Sequence, residues 1–179
     1  MTTQVITKHR SHTKVTYLSI TGLFAAMICI TTAFIFHIPF GVNGGYIHLG
    51  DTLIYIAASL LPMPYAMAAA AIGGTLADIL TAPMWALATL IIKALLTIMF
   101  TSKKNTLVNL HNVSAVFVAG VVSIIGYYLA ELVLLGSEAA FITSVTSSLI
   151  QAIGSGLLFI VIGATLDKIN FKQKFQIAS

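Results

Sequence analysis

Apolar residues recur along this chain in long runs, not at the alternating or one-face spacing of a soluble fold. Six runs cover about residues 15–36, 47–62, 64–81, 84–101, 113–135 and 141–166. At about 1.5 Å of rise per residue, most are long enough as helices to cross a hydrocarbon core of about 30 Å. The second is short and needs shelter from its neighbours. Leu61-Pro62-Met63-Pro64 separates it from the third, because proline removes a backbone donor and pushes the preceding residue out of helical geometry. Pro83 suits the first turn of the fourth run, where its missing N–H costs nothing. The pattern predicts an all-α membrane protein. It is a single transmembrane domain over 1–179, a six-helix bundle with tails at about 1–14 and 168–179.

Composition agrees. Hydrophobic residues make up 58% and charged residues 8% of the chain, with mean hydropathy +0.99. A soluble domain carries about a quarter charged residues to coat its surface, so the solvent here is lipid. Lys8, Arg10 and Lys14 precede an apolar run that is too long for the core of a cleaved signal. The lone Cys29 excludes a disulfide framework and a thiolate metal cluster, and reads as a small packing residue.

The net charge of +4 would fit nucleic acid, but its distribution argues for orientation instead. Of nine Lys and Arg residues, all but Lys93 lie in the two tails or at Lys103–Lys104. Six spans put those eight (nine less Lys93) on one side, opposite loops 37–46, 82–83 and 136–140, which have none. The positive-inside rule then places both termini in the cytoplasm. Five or seven spans would split the basic clusters. Loop 37–46 is rich in glycine and aromatics; it is either a plain connector or a lid hinged at Gly44 and Gly45.

Ionisable groups at membrane depth cost several kcal/mol unless paired or hydrated, so each is a functional candidate. Here they share one leaflet. Asp51 opens the second span, Asp78 and Glu131 lie near the outer ends of the third and fifth, and Lys93 lies about 15 Å down the fourth. Trp85, Thr89 and Lys93 form one helical face, as do Ser144, Ser147, Ser148, Gln151 and Ser155 of the sixth span. Below mid-bilayer the spans are nearly all Leu, Ile, Val, Ala and Met. The asymmetry predicts a polar pocket open to the outside, with aromatics available to stack on a flat ring. Each residue also has a structural reading. Asp51 could cap its helix, Lys93 could neutralise Asp78, the serines could bond their own helix, and Trp85 could anchor at the interface. Gly22, Ala25, Ala26, Cys29 and Ala33 give small-residue spacing on the first span. Ala66, Ala69, Ala70, Gly73, Gly74 and Ala77 do so on the third. The third-span strip is read as internal packing, and the first could equally meet another protein.

No G-x-x-x-x-G-K-[ST], H-E-x-x-H or G-x-S-x-G occurs, and the five histidines are too dispersed for a metal site. The chain is not read as an enzyme, and no cofactor or metal is expected. Energy to move a solute must come from a gradient or a partner.

Gly45-Tyr46-Ile47-His48-Leu49-Gly50-Asp51, Gly73-Gly74-Thr75-Leu76-Ala77-Asp78 and Thr89-Leu90-Ile91-Ile92-Lys93 resemble the substrate-binding S components of energy-coupling factor (ECF) vitamin transporters. Within that group they resemble the hydroxymethylpyrimidine or pyridoxine type, grouped with riboflavin-type S components. The resemblance covers about residues 15–168. It implies a prokaryotic plasma-membrane subunit that captures a vitamin from outside and docks on a transmembrane coupling subunit bearing two ATPase subunits. A strip of the A-x-x-x-A kind on the first helix would make that contact, here Gly22-x-x-x-Ala26 or Ala25-x-x-x-Cys29, with Ala33 further along. The resemblance also implies that loop 37–46 is the lid. The roles then expected are Asn43 and His48 closing over the ligand, and Asp51, Asp78, Glu131 and Gln151 bonding its polar edge. Trp85 and Tyr127 would stack, with Thr89 on their face and Lys93 as donor or counter-ion. The competing classes are a stand-alone proton- or sodium-coupled transporter and a structural membrane protein.

Overall fold

The structure, a computed structural model, describes residues 2–35, 37–39, 46–136 and 140–175. Its helices are α1 (Thr2–Ala33), α2 (Asp51–Leu60), α3 (Met63–Thr81), α4 (Ala86–Ile98), α5 (Leu110–Leu135), α6 (Ala140–Lys168) and α7 (Phe171–Phe175). Lys14–Ala33, Met63–Thr81, Leu110–Leu135 and Val145–Lys168 are long and apolar enough to cross a membrane. Asp51–Leu60 and Pro83–Ile98 are apolar but shorter. The protein is therefore a membrane helical bundle, and its surface shows why. Phe117, Leu87 and Val133 are 72%, 71% and 83% exposed, while Asp51, Lys93 and Gln151 are buried. That inversion is stable only where lipid is the solvent.

The two short segments have different origins. α2 is 10 residues long, about 15 Å, and is wrapped by α1, α3, α4 and α6. All of it but Leu53 is buried, so its shelter comes from protein. It ends where the sequence predicts: Leu61 is extended before Pro62, and Pro64 lies in the first turn of α3. α4 is preceded by a 3-10 turn, Pro83–Trp85, so Pro83 does start the fourth helical segment.

Contact between α1 and α3 depends on glycine. A Cβ on Gly73 would lie 2.6 Å from the Ala25 carbonyl oxygen and 2.8 Å from the Ile28 Cβ. Only a residue without Cβ lets the backbones approach so closely. Ala66, Ala69, Ala70 and Ala77 are fully buried, so the third-span strip is packing inside the bundle.

The segment between α1 and α2 closes on itself at its base. β1 (Ile38–Pro39) and β2 (Tyr46–Ile47) pair antiparallel, Ile38 opposite Ile47, a small departure from an all-helical chain. The tip of that segment, with Gly44 and Gly45, lies outside the described residues. The end of the bundle that carries the ladder also holds the starts of α2 and α6 and the ends of α3 and α5.

The opposite end, whose spans are nearly all apolar in sequence, holds a polar cluster of its own. Buried Asn112 receives the Thr101 amide on Oδ1 at 2.9 Å, and its Nδ2 reaches the carbonyls of Leu107 at 2.9 Å and Thr101 at 3.1 Å. Nδ2 also lies 3.1 Å from the Ser59 hydroxyl, and Asn109 caps α5 through the Asn112 amide. Asp167 near the end of α6 accepts the Leu107 and Val108 amides at 2.7 and 2.9 Å. Together these bonds tie the 99–109 connection to α2, α5 and α6. Beyond Asp167, burial pushes the Lys172 ammonium down to about 8, with the Asp167 carboxylate opposing the shift.

Asn112 is the member of this cluster that nothing can replace, because its amide fills donor and acceptor roles at once. Asn112→Ala leaves the Thr101 carbonyl and amide unsatisfied, with the Leu107 carbonyl kept only by the Asn109 side chain at 3.3 Å, and is expected to cost about 1–3 kcal/mol. A lower midpoint in thermal unfolding of the detergent-purified protein checks it; an unchanged midpoint would mean the loop is held by Asp167 alone.

Candidate functional site

Polar side chains enter the bundle from three helices at the ladder end. Asp51, the first residue of α2, turns its carboxylate inward. Lys93, two turns into α4, places Nζ 2.6 Å from Asp51 Oδ1, with both side chains 1% exposed. Gln151 of α6 donates Nε2 to the other carboxylate oxygen at 2.8 Å. The sequence left Lys93 to pair with Asp78 or face a ligand; its partner is Asp51. Gly74 makes that reach possible, since a Cβ there would stand 3.1 Å from Lys93 Cγ and 3.0 Å from Thr89 Cγ2. An isolated buried ion is costly, and an ion pair with both carboxylate oxygens bonded answers that cost.

Around this pair the candidate residues gather. His48 is buried, and its Nδ1 accepts the Gly50 amide at 3.0 Å, which puts the ring proton on Nε2. Thr89 Oγ1 lies 2.9 Å from the Tyr127 hydroxyl. The Lys93 ammonium sits 5.2 Å from the Tyr127 ring centroid, within cation–π range. Trp85 meets Tyr127 edge to face, with centroids 6.4 Å apart. It is buried, not an interfacial anchor. Asp78 and Glu131 are both buried; Asp78 lies within electrostatic reach of the Tyr127 phenol, and Glu131 follows Tyr127 by one turn of α5.

Several polar atoms here are buried with no hydrogen-bond partner among the described residues: Trp85 Nε1, Ser155 Oγ, Thr75 Oγ1 and Tyr55 OH. Each such atom normally costs free energy unless a water or a ligand meets it. Thr52, which the sequence did not single out, donates to the Ser155 carbonyl at 3.1 Å and ties α2 to α6 below Gln151. Tyr55 was also missed. It is fully buried and stacks on Phe100 at 4.9 Å, flooring the site with aromatic rings. Its signal was available as the one aromatic on α2, four residues after Asp51.

Not every predicted residue converges. Asn43 lies outside the described residues, as does the side chain of Ser144. Ser148 and Ser155 are buried beside Gln151, and Ser147 is half-buried. A cavity of ≈ 320 Å³ between α5 and α6 is lined by apolar residues such as Val116, Phe117, Leu149 and Ala152, and by none of the site residues. On α1 the small residues divide: Ala25 and Ala33 are buried, Gly22 and Ala26 are exposed, and Cys29 lies between. Nothing stands within 4 Å of a Cβ built on Gly22.

Comparison with known proteins bears on this arrangement. The sequence model described as ECF-type riboflavin transporter, S component, matches residues 12–168. A Pyrococcus woesei protein, described as "Uncharacterized protein in gap 3'region", is 30% identical over 148 residues, 82% of this chain and 95% of that one.

The ion pair makes its own prediction. Lys93→Met leaves a buried carboxylate without its cation and is expected to destabilise the protein by about 3–5 kcal/mol. Adding Asp51→Asn should recover much of that loss, since both charges are then gone. Thermal unfolding of the two single variants and the double variant reads the coupling; purely additive losses would show that the contact carries no energy.

Proposed function

The chain belongs to the ECF-type riboflavin transporter S component family, and on that premise we propose that it captures hydroxymethylpyrimidine or pyridoxine from outside the cell. Membership makes it a transmembrane, substrate-binding transport subunit of a vitamin-uptake system and not an enzyme. The observation that carries the finer reading is the join between a buried polar network and an aromatic pair. Asp51, Lys93 and Gln151 offer acceptor, cation and amide within one cluster, and Trp85 with Tyr127 borders it. A flat heterocycle with hydroxymethyl groups needs that combination: a ring face to stack and a polar edge to bond. Asp78, Glu131, Thr89 and His48 complete the expected lining, with Asn43 above it. Riboflavin is the second reading, favoured by the description of the matching family.

Six spans with both termini in the cytoplasm fit the charge pattern, which then places the ladder end of the bundle outside. In that frame α4 crosses as a short helix extended by its 3-10 turn, and α2 as a sheltered half-span. ATP hydrolysis falls to two ATPase subunits reached through a transmembrane coupling subunit. Of the two registers on α1, Gly22-x-x-x-Ala26 is the better partner surface, because both residues are exposed whereas Ala25 already packs against α3.

Two measurements test this reading. A ligand that binds only the folded protein stabilises it by about 4 kcal/mol at a thousandfold excess over Kd, so a B-vitamin panel should give one large thermal shift. Gln151→Ala should weaken that binding at least tenfold (about 1.4 kcal/mol) without lowering expression; unchanged affinity would remove Gln151 from the site. Separately, Ala26→Leu is expected to reduce co-purification with the coupling subunit while leaving vitamin binding intact, and undiminished assembly would assign the contact to another face.

A further inference from the structure

A groove runs between α5 and α6 on a face of the bundle turned to lipid. Its floor is made of small residues, Gly120, Ala152 and Gly156, and its walls of large exposed ones, Phe117, Val121, Ile153 and Leu157. The glycines create it. A Cβ on Gly156 would lie 2.6 Å from Val116 Cγ1, and one on Gly120 would lie 3.2 Å from the Ala152 Cβ. The helices therefore meet at their smallest residues, and the larger side chains stand clear along the flank. The volume is ≈ 320 Å³, and every residue that lines it is apolar.

Length and depth indicate what fills it. The lining from Val113 to Ile124 covers about 16 Å along α5. One leaflet's share of the hydrocarbon core is about 15 Å. Spread over that length, the volume gives a section of about 20 Å², about a quarter of that of a helix about 10 Å across. A transmembrane helix of another protein is too thick to enter, whereas a single acyl tail fits lengthwise. Left empty, the groove would forfeit dispersion contacts along its floor.

The groove begins in the first turn of α5, at the end of the bundle away from the ladder, and the charge there is basic. Lys103, Lys104, Lys168 and Lys174 are exposed at this end. Asp167, the one acid of 99–112 and 160–175, already accepts two backbone amides. Lys168 is the lysine aligned with the groove: it follows Leu157 by 11 residues, within about 20° of the same direction around α6. Helical side chains lean toward their N-terminus, which on α6 is toward the groove. We propose that the groove binds one acyl tail of an anionic phospholipid, whose phosphate meets Lys168. No residue of this site belongs to the Asp51–Lys93–Gln151 cluster, so the proposal stands apart from the vitamin reading.

Native mass spectrometry of the detergent-purified full chain tests this, with phosphatidylglycerol and phosphatidylcholine of the same tails titrated in turn. Phosphatidylglycerol is expected to be held at least about fivefold more tightly, the worth of about one lysine at a membrane surface. Lys168→Gln should bring that ratio toward one, and Ala152→Phe, which fills the floor, should weaken the binding of both lipids. Single-tailed lysophosphatidylglycerol should compete, and glycerol phosphate, a headgroup without a tail, should not. Equal binding of the two phospholipids, or competition by glycerol phosphate as strong as by the lysolipid, overturns the proposal. So does a dimer that Ala152→Phe disrupts, which would give the groove to a second copy of this chain. The wild-type comparisons decide between these outcomes even if Ala152→Phe fails to fold.

Discussion

A lysine ammonium cannot sit alone in a hydrocarbon layer, and much of this bundle is arranged around that constraint. Lys93 needs a carboxylate, the carboxylate needs its second oxygen filled, and the two bonds draw on α2, α4 and α6. The start of α2 is thereby fixed against helices distant in sequence. The same bonds set the height of α2, which is too short to find its own depth in a bilayer. Gly74 belongs to this arrangement because it gives the lysine stem a path past α3.

A second polar cluster performs the matching task at the other end. Asn112 and Asp167 hold the 99–109 connection by its amides and carbonyls, so both ends of α2 abut a buried hydrogen-bonded group: Asp51 at one, Ser59 at the other. Between them lies the Tyr55, Phe100 and Phe159 ring cluster. The helix is thus pinned at two polar points and packed in between. That geometry gives a transport subunit a rigid floor beneath the Asp51–Lys93–Gln151 cluster.

Much of this was legible in the sequence because lipid is an undemanding solvent: it asks for apolar surface, and long apolar runs show at once. The prolines at 62, 64 and 83 marked real boundaries, since their chemistry is local. Trp85, Thr89 and Lys93 at helical spacing did share an inward face. What failed was partnering. The sequence reading offered Asp78 as the mate for Lys93 and Asp51 as a cap, whereas the pair is Lys93–Asp51; nothing local distinguishes the two, and the choice depends on how α2 and α3 pack. Asn112 escaped notice because asparagine after an N-cap reads as ordinary helix-start chemistry. The split of the α1 strip into an inner and an outer face needed the position of α3.

The Asp51–Gln151 bond joins residues 100 apart in the chain, and this has a consequence for biogenesis. Spans enter the membrane in order of synthesis. Asp51 and Lys93 therefore arrive and neutralise each other well before α6 exists. At about 5–20 residues per second, the 58 residues from Lys93 to Gln151 take on the order of 3–12 seconds to make. Throughout that interval α2 packs on α1, α3 and α4 but lacks α6 on its remaining flank, and Asp51 has its lysine without its glutamine. Insertion of the last long helix is the step that seals it, so a nascent chain stalled before that point presents a half-buried carboxylate to the quality-control machinery of the membrane.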